Sequence, residues 1–198
     1  MKLYQTIVFN QIKPGERVID LGCGDGELLQ ELRQKKNCEG YGIEQHFDEV
    51  IMAMRRGIPV FQGDVLDGLK SFEDGAFDVA ILSQTLQQVM NPNRLLTEMC
   101  RVAKRVIVTF PNFAYWRVRF HLAWHGVSPK TNQLPFDWHS TPNIRVITIK
   151  EFRQLCHDRD IQIVKEIPLV KYRFQRWVFP LRFTNFLTEK GIFIIQMG

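Results

Sequence analysis

No apolar run in the chain approaches the roughly 20 residues that cross a bilayer, and the opening stretch lacks the charged start and small-residue cleavage site of a leader. Both absences lead to the expectation of a cytoplasmic protein with no membrane partner. Cysteine is sparse. Cys23, Cys38, Cys100 and Cys156 stand far apart with no C-x-x-C pair, which argues for buried thiols rather than disulfides or a thiolate metal site. Internal repeats and low-complexity tracts are also missing, and nothing marks a second domain. The 198 residues, 45% hydrophobic and 24% charged, are therefore read as a single domain (1–198) large enough to bury a full core.

What is present is organised around Val18-Ile19-Asp20-Leu21-Gly22-Cys23-Gly24-Asp25-Gly26, an apolar strand that ends in an acid and breaks into glycines at every second position. A helix-like run, Glu27 to Gln34, follows at once, so the glycines form a strand-to-helix turn that lets a ligand approach the backbone. A dinucleotide fingerprint reads G-x-G-x-x-G and aims a helix N-terminus at a pyrophosphate. Here the pattern is acid-x-G-x-G-x-G. A carboxylate at Asp20 repels a pyrophosphate but favours a ligand carrying an ammonium or a sulfonium. S-adenosylmethionine has both cations and no phosphate; a nicotinamide or flavin, or a tight turn without ligand, are the alternatives. Cys23, inside the turn, reads as a small filler.

Other segments alternate in the manner of a parallel α/β sheet. Leu3 to Ile12 reads as a short amphipathic helix, with a polar turn at Lys35 to Glu39 further on. Gly40 to Glu44 is a second strand, Asp48 to Arg56 a helix and Val60 to Gln62 a short strand. Phe77 to Leu82 is an apolar run suited to a strand buried on both faces, and Arg105 to Phe110 is a fifth strand after a helix over Leu95 to Val102. Five strand signals alternating with four helical ones predict a doubly wound sheet with right-handed crossovers. Ligands of such sheets bind beyond the carboxyl ends of the strands. Asp20, Glu44, Asp64 and Ser83 all fall there. Glu44, about twenty residues beyond the glycines, suits ribose hydroxyls; Asp64 can accept from an adenine amino group or simply mark a turn.

After Pro111 the pattern changes. Phe113 to Trp124 reads as a helix with Phe113, Trp116, Phe120 and Trp124 on one side, and Gly126 to Ile144 is loop-like, interrupted by Pro129, Pro135 and Pro142. The stretch at about 113–147 is read as a lid, a partner surface or an inert cover. Thr148 to Asp158 is a helix capped by Thr148, and Ile161 to Glu166 and Ile192 to Met197 are strands. Tyr172 to Phe186 mixes aromatics with Arg173, Arg176 and Arg182. Charge is divided unevenly: residues 1–100 hold 10 Lys or Arg against 15 Asp or Glu, and residues 101–198 hold 16 against 6. The resulting −5 and +10 give the chain its net +5. A basic half can serve nucleic acid, an anionic substrate or an acidic protein partner, or be a solvated face.

The glycine turn, Glu44, Gly63-Asp64 and the strand ending at Ser83 together resemble the class I S-adenosylmethionine-dependent methyltransferases. That resemblance implies a seven-stranded Rossmann-like sheet, mostly parallel with an antiparallel last strand. More narrowly, Val18 to Leu29, Ile81 to Gln87, Phe110-Pro111-Asn112-Phe113 with Trp116-Arg117-Val118-Arg119, and Thr141-Pro142-Asn143-Ile144 are similar to the MetW family of methionine biosynthesis proteins. This resemblance implies a protein partner, homoserine O-acetyltransferase, and S-adenosylmethionine or S-adenosylhomocysteine as cofactor. It places Asp20, Gly22 and Gly24 around the methionine part, Glu44 at the ribose, Asp64 and Val65 at the adenine, and Ser83 and Gln84 at the edge facing the methyl, and counts Cys23, Gly26 and Gln45 with them among the cofactor-binding residues. Gln45-His46-Phe47 departs from the more acidic turn expected there.

Methyl transfer from a sulfonium needs alignment first and a base only when the nucleophile must lose a proton. Tyr115, His121, His125, Asp137 and His139 are base candidates by location alone, and each also has a structural reading. His121 and His125 have the i, i+4 spacing of a zinc helix, but Leu122 stands where H-E-x-x-H has its glutamate, so no metal is expected. Pro111-Asn112 follows the fifth strand, not the fourth, which argues against the N-P-P-[FY] chemistry of nucleic-acid amino-group methylation. The favoured reading is an accessory subunit of an acyltransferase. A stand-alone methyltransferase of a small molecule is the alternative, and RNA the least supported one.

Overall fold

The computed structural model describes residues 2–131, 134–169 and 181–198, with the side chains of 181 and 182 excepted. Seven strands, β1 (Arg17–Leu21), β2 (Glu39–Glu44), β3 (Val60–Gln62), β4 (Phe77–Ser83), β5 (Ala103–Pro111), β6 (Ile161–Glu166) and β7 (Lys190–Met197), form one sheet in the order β3-β2-β1-β4-β5-β7-β6. The first five pair in parallel. β7 runs antiparallel to both β5 and β6. The sheet is therefore the expected methyltransferase-type one, with its strand order reversing between β1 and β4.

Alternation along the strands divides the core between two layers. Val79 and Ile81 of β4 pack with α1 (Leu3–Gln11), α2 (Glu27–Lys36) and α3 (Phe47–Arg55). Ala80 and Leu82 face α4 (Val65–Leu69), α5 (Pro92–Val102) and α7 (Ile149–Asp158). In the second layer Phe110, Phe152 and Phe193 stack with ring centres 4.6 to 5.7 Å apart. Those contacts fasten α7 to β5 and β7, and aromatic pairs of this kind add about 0.5–1.5 kcal/mol each beyond burial. All four cysteines are buried and free.

Several local readings need correction. α2 runs through Lys36, where a turn was expected to have begun, and stops at Asn37 in the left-handed region (φ 53°). The helix α4 was missed; it has five residues including Gly68, too few to show a period, and Asp64 caps it by accepting from Leu66 N–H at 2.8 Å. α6 spans Trp116–His125 instead of starting at Phe113. Asn112 is the reason: its Oδ1 accepts from Ala114 N–H and its backbone carbonyl from Tyr115 N–H, so 112–115 is a turn. The Asn112 amide also donates to the carbonyls of Asn185 and Thr188 at 2.9 and 2.8 Å. That side chain is thereby a structural tie between β5 and the segment before β7. Thr148 caps α7 as expected, with Glu151 completing a capping box. Of Tyr172 to Phe186, residues 172–180 lie outside the described residues, and the remainder belongs to α8 (Leu181–Leu187).

Candidate functional site

The carboxyl ends of β1 and β4 open into a cleft of about 300 Å³, with Glu44 of β2 behind its lining. Its floor is the turn between β1 and α2. Gly22, Gly24 and Gly26 hold φ of 74°, 55° and 75°, a region that L side chains enter only with strain. Space excludes side chains as well: a Cβ at Gly22 would stand 2.5 Å from Thr85 Oγ1, and one at Gly26 3.0 Å from the Ala53 Cβ. The glycines thus bring backbone to the cleft and let α2 pack on α3.

Asp20, the last but one residue of β1, is almost fully buried, and its Oδ1 has no hydrogen-bond partner. Burial, then the nearby Glu44, pushes its carboxyl up to about 8. Such an oxygen calls for a donor or a cation. Glu44, buried at the end of β2, is held by three backbone N–H groups: Gly24 donates to Oε2 at 2.9 Å, while Gln45 and His46 donate to Oε1 at 2.8 and 2.9 Å. Oε2 thus keeps an acceptor position. The departure at Gln45-His46 supplies backbone, not side chains, to this arrangement. Cys23 is buried in the turn, and burial, with Asp20 and Glu44 adding to it, pushes its thiol far up. It stays neutral and inert, as a filler should.

Of the residues assigned from sequence, Asp20, Gly22, Cys23, Gly24 and Ser83 line the cleft. Gly26 lies beneath it as the N-cap of α2. Gln45 is exposed beside Glu44, Asp64 is exposed at the start of α4, and Val65 is half-buried as its first residue. Gln84 is turned sideways: its amide donates to Thr109 Oγ1 at 2.9 Å and its Oε1 accepts from Lys190 Nζ at 2.8 Å. Ser83 Oγ shares the same threonine at 3.1 Å. Sequence reasoning missed Tyr4 and Gln5 of α1 and Glu49 and Met52 of α3, which line the cleft from above. The signal for Glu49 was its place in the first turn of the helix after Glu44. For Tyr4 there was none, since only the fold brings α1 to this edge.

None of the base candidates lines this cleft. Tyr115 is the buried N-cap residue of α6, His121 and His125 lie on α6 with ring centres 4.8 Å apart, Asp137 pairs with Lys130, and His139 packs beside Trp138. Among the described residues no three His, Cys, Asp or Glu side chains gather as a metal site, and no helix is long and apolar enough to cross a membrane.

Comparison with known proteins bears on the family and the fold. A family model described as methionine biosynthesis protein MetW matches residues 3–195. A bifunctional methionine biosynthesis protein MetXA/MetW of Rhodopirellula baltica is 41% identical over 165 residues, covering 79% of this chain and 26% of that protein. The chain thus spans about a quarter to a third of the length of the first curated relatives it matches. Among solved structures, a S-adenosylmethionine-dependent methyltransferase of Thermotoga maritima, described as a possible histamine N-methyltransferase, superposes with a TM-score of 0.69 at 17% identity, covering 99% of this chain and 88% of that one. A geranyl diphosphate methyltransferase in complex with S-adenosylmethionine does so at 0.67 and 13%, covering 98% and 84%. Identities this low speak for the fold alone.

Proposed function

The chain belongs to the MetW family of methionine biosynthesis proteins, and from that premise we propose that it is an S-adenosylmethionine-binding subunit that acts with homoserine O-acetyltransferase. The observation that carries the ligand is the unpartnered, buried Asp20 Oδ1 above a floor of positive-φ glycines. An ammonium or sulfonium satisfies that oxygen and lowers the proton affinity that burial has raised. In this reading Asp20, Gly22 and Gly24 hold the methionine part, the spare acceptor of Glu44 Oε2 takes a ribose hydroxyl, Asp64 and Val65 meet the adenine, and Ser83 and Gln84 border the methyl. When bound, the cofactor supplies an activated methyl group; the chain's own residues supply orientation and charge. No residue is assigned as a general base.

Two observations support the partner. The Rhodopirellula relative joins MetXA and MetW in one protein. The second half of the chain also carries the exposed aromatics Phe120, Trp124 and Trp138 among basic residues, a composition suited to a protein interface. Because S-adenosylmethionine lies downstream of methionine, a subunit that binds it can report pathway output to an early enzyme, provided partner affinity differs with and without ligand.

The test is calorimetric titration of the purified protein with S-adenosylmethionine and S-adenosylhomocysteine, followed by co-elution with the acyltransferase and its kinetics across a saturating cofactor titration. Micromolar binding and a change in acyltransferase rate are expected. Unchanged kinetics and no co-elution at micromolar concentrations would refute the partnership. The alternative, a stand-alone methyltransferase of a small molecule, is favoured by the ordered polar edge at Ser83, Gln84 and Thr109. Methyl transfer from labelled cofactor into an extract, lost in Asp20→Ala, would support it.

A further inference from the structure

Beside the acid-lined cleft lies a buried lysine that forms no ion pair among the described residues. Lys190, the first residue of β7, is only 4% exposed. Its Nζ donates to Gln84 Oε1 at 2.8 Å and sits 4.0 Å from the centre of the Tyr4 ring. Among the described residues no carboxylate forms an ion pair with it, although neighbouring Glu189 favours its charge from a distance. One of its three N–H groups is therefore hydrogen-bonded, one side faces a ring, and capacity for an anion is left over. Burial draws its ammonium down to about 8, as expected for a cation short of counter-charge.

Strand parity places this cation. Ile192 and Ile194 of β7 face the α1 layer, whereas Phe193 and Ile195 face the other, so Lys190 shares the α1 side. By the same alternation Asp20 of β1, Ser83 of β4 and Thr109 of β5 lie on that side, and the pairing of Pro111 with Lys190 sets the lysine at the carboxyl edge of the parallel strands. A polar row thus crosses the sheet from an acid to a cation through Ser83, Thr109 and Gln84. Because the Gln84 amide is turned onto Thr109 of β5, the ammonium it accepts from stands over β5, two strands from β1. Tyr4 links the two ends: it lines the cleft, its ring covers Nζ, and burial, with Asp20 and then Glu27 adding to it, pushes its phenol up. Gln84 is itself held at φ 61°, a conformation costly for a side-chain-bearing residue and typical of positions fixed for a task.

We propose that Lys190 is the anion point of this cleft, its ammonium receiving the carboxylate of a small amino-acid-type ligand. The proposal rests on the reading of the cleft as a S-adenosylmethionine site and extends it to the other end of the polar row. Two sources share the chemistry: the methionine end of the cofactor itself, and a separate carboxylate-bearing molecule seated at the methyl-facing edge. In either case the carboxylate takes the free N–H positions of Nζ, while the acids near β1 and β2 take the cationic and hydroxyl groups.

The full chain and its Lys190→Met, Lys190→Gln and Lys190→Arg variants are titrated calorimetrically with S-adenosylhomocysteine and with decarboxylated S-adenosylmethionine, which keeps the ammonium and lacks the carboxylate. Thermal unfolding confirms which variants are folded. If the cofactor supplies the carboxylate, Lys190→Met and Lys190→Gln weaken S-adenosylhomocysteine by about tenfold or more, leave the decarboxylated ligand unchanged, and Lys190→Arg restores part of the loss. If a separate molecule supplies it, S-adenosylhomocysteine binding is unaltered, and acetate, titrated by the line width of its carbon-13 signal with and without S-adenosylhomocysteine, binds the wild type and not the charge-free variants. Equal weakening of both cofactor analogues, or no change in cofactor and acetate binding alike, overturns the proposal and makes Lys190 a support for Tyr4 and Gln84. A wild-type protein that binds neither cofactor analogue defeats the reading of the cleft instead, and the acetate titration then still decides the role of Lys190.

Discussion

The turn after β1 and the stretch from α6 to Val146 handle the same problem, groups out of place for their surroundings, in opposite ways. At the turn, charge is buried and then secured: Glu44 accepts three backbone N–H groups, and the glycines exclude every side chain that would loosen them. Around α6, apolar surface is left in water. Trp124 is 85% exposed and Trp138 78%, and of the described residues of α6 it is Val118, not the expected aromatic side, that is buried. A site for a small charged ligand must be pre-organised at a cost to stability. Contiguous exposed aromatics signal a large partner instead.

The strongest way to break this contrast is at the turn. Gly22→Ala forces a Cβ against Thr85 Oγ1 at 2.5 Å and into a positive φ. A loss of about 2–4 kcal/mol in denaturant unfolding is expected from strain and overpacking together. Glu44→Ala follows in size. It strands the N–H groups of Gly24, Gln45 and His46, which costs about 1–3 kcal/mol, and calorimetry should show S-adenosylhomocysteine binding weakened at least tenfold. A Glu44→Ala protein of wild-type stability would mean that water replaces the carboxylate and that the turn is less organised than its geometry indicates.

Protonation sharpens the same side. The carboxyl of Asp20 is raised from 3.8 to about 8 in the protein alone, so the folded chain holds a proton that the unfolded chain releases between those values. Stability should therefore fall as pH rises from about 4 to about 8 and level off above. A cationic ligand favours the ionised form, so its affinity should rise over the upper part of that window, by up to about tenfold per pH unit. Binding heats compared between buffers should show proton release at pH 7. Asp20→Asn removes both dependences, and a flat affinity profile in the wild type would separate Asp20 from the ligand.

How much of this was legible in the sequence follows from which forces are local. Strand ends are local. An apolar run that stops at Glu44 or Ser83 states its own boundary, the one at Asp20 misses it by a single residue because β1 runs on through Leu21, and a doubly wound topology then sends all three to one edge. The Thr148 cap was equally plain, because side chain and helix start are three residues apart. α4 and the true start of α6 were not, the first because five residues cannot show a period, the second because Asn112 outcompetes the helix for the backbone of 112–115. Tyr4 and Lys190 were invisible as site residues for a different reason. The partner of Lys190, Gln84, is 106 positions away, and no pattern along the chain reports a meeting that only the sheet order creates. The fate of the aromatic side of α6 was hidden too, since spacing describes a stripe and not what covers it.

The smallest expected effect bears most directly on that last point. Val118→Ala, in the buried row of α6, should cost about 1–2 kcal/mol by analogy with other core truncations. Trp124→Ala, on the exposed side of the same helix, should change stability by less than about 0.5 kcal/mol. If α6 presents a partner surface, the second substitution nevertheless weakens co-elution with the acyltransferase, since exposed tryptophans are the residues on which protein interfaces most often depend. The two readouts must therefore move apart: stability for Val118, association for Trp124. Should Trp124→Ala destabilise the isolated chain as much as Val118→Ala does, its ring is packing on the protein itself, and α6 belongs with the secured side of the comparison.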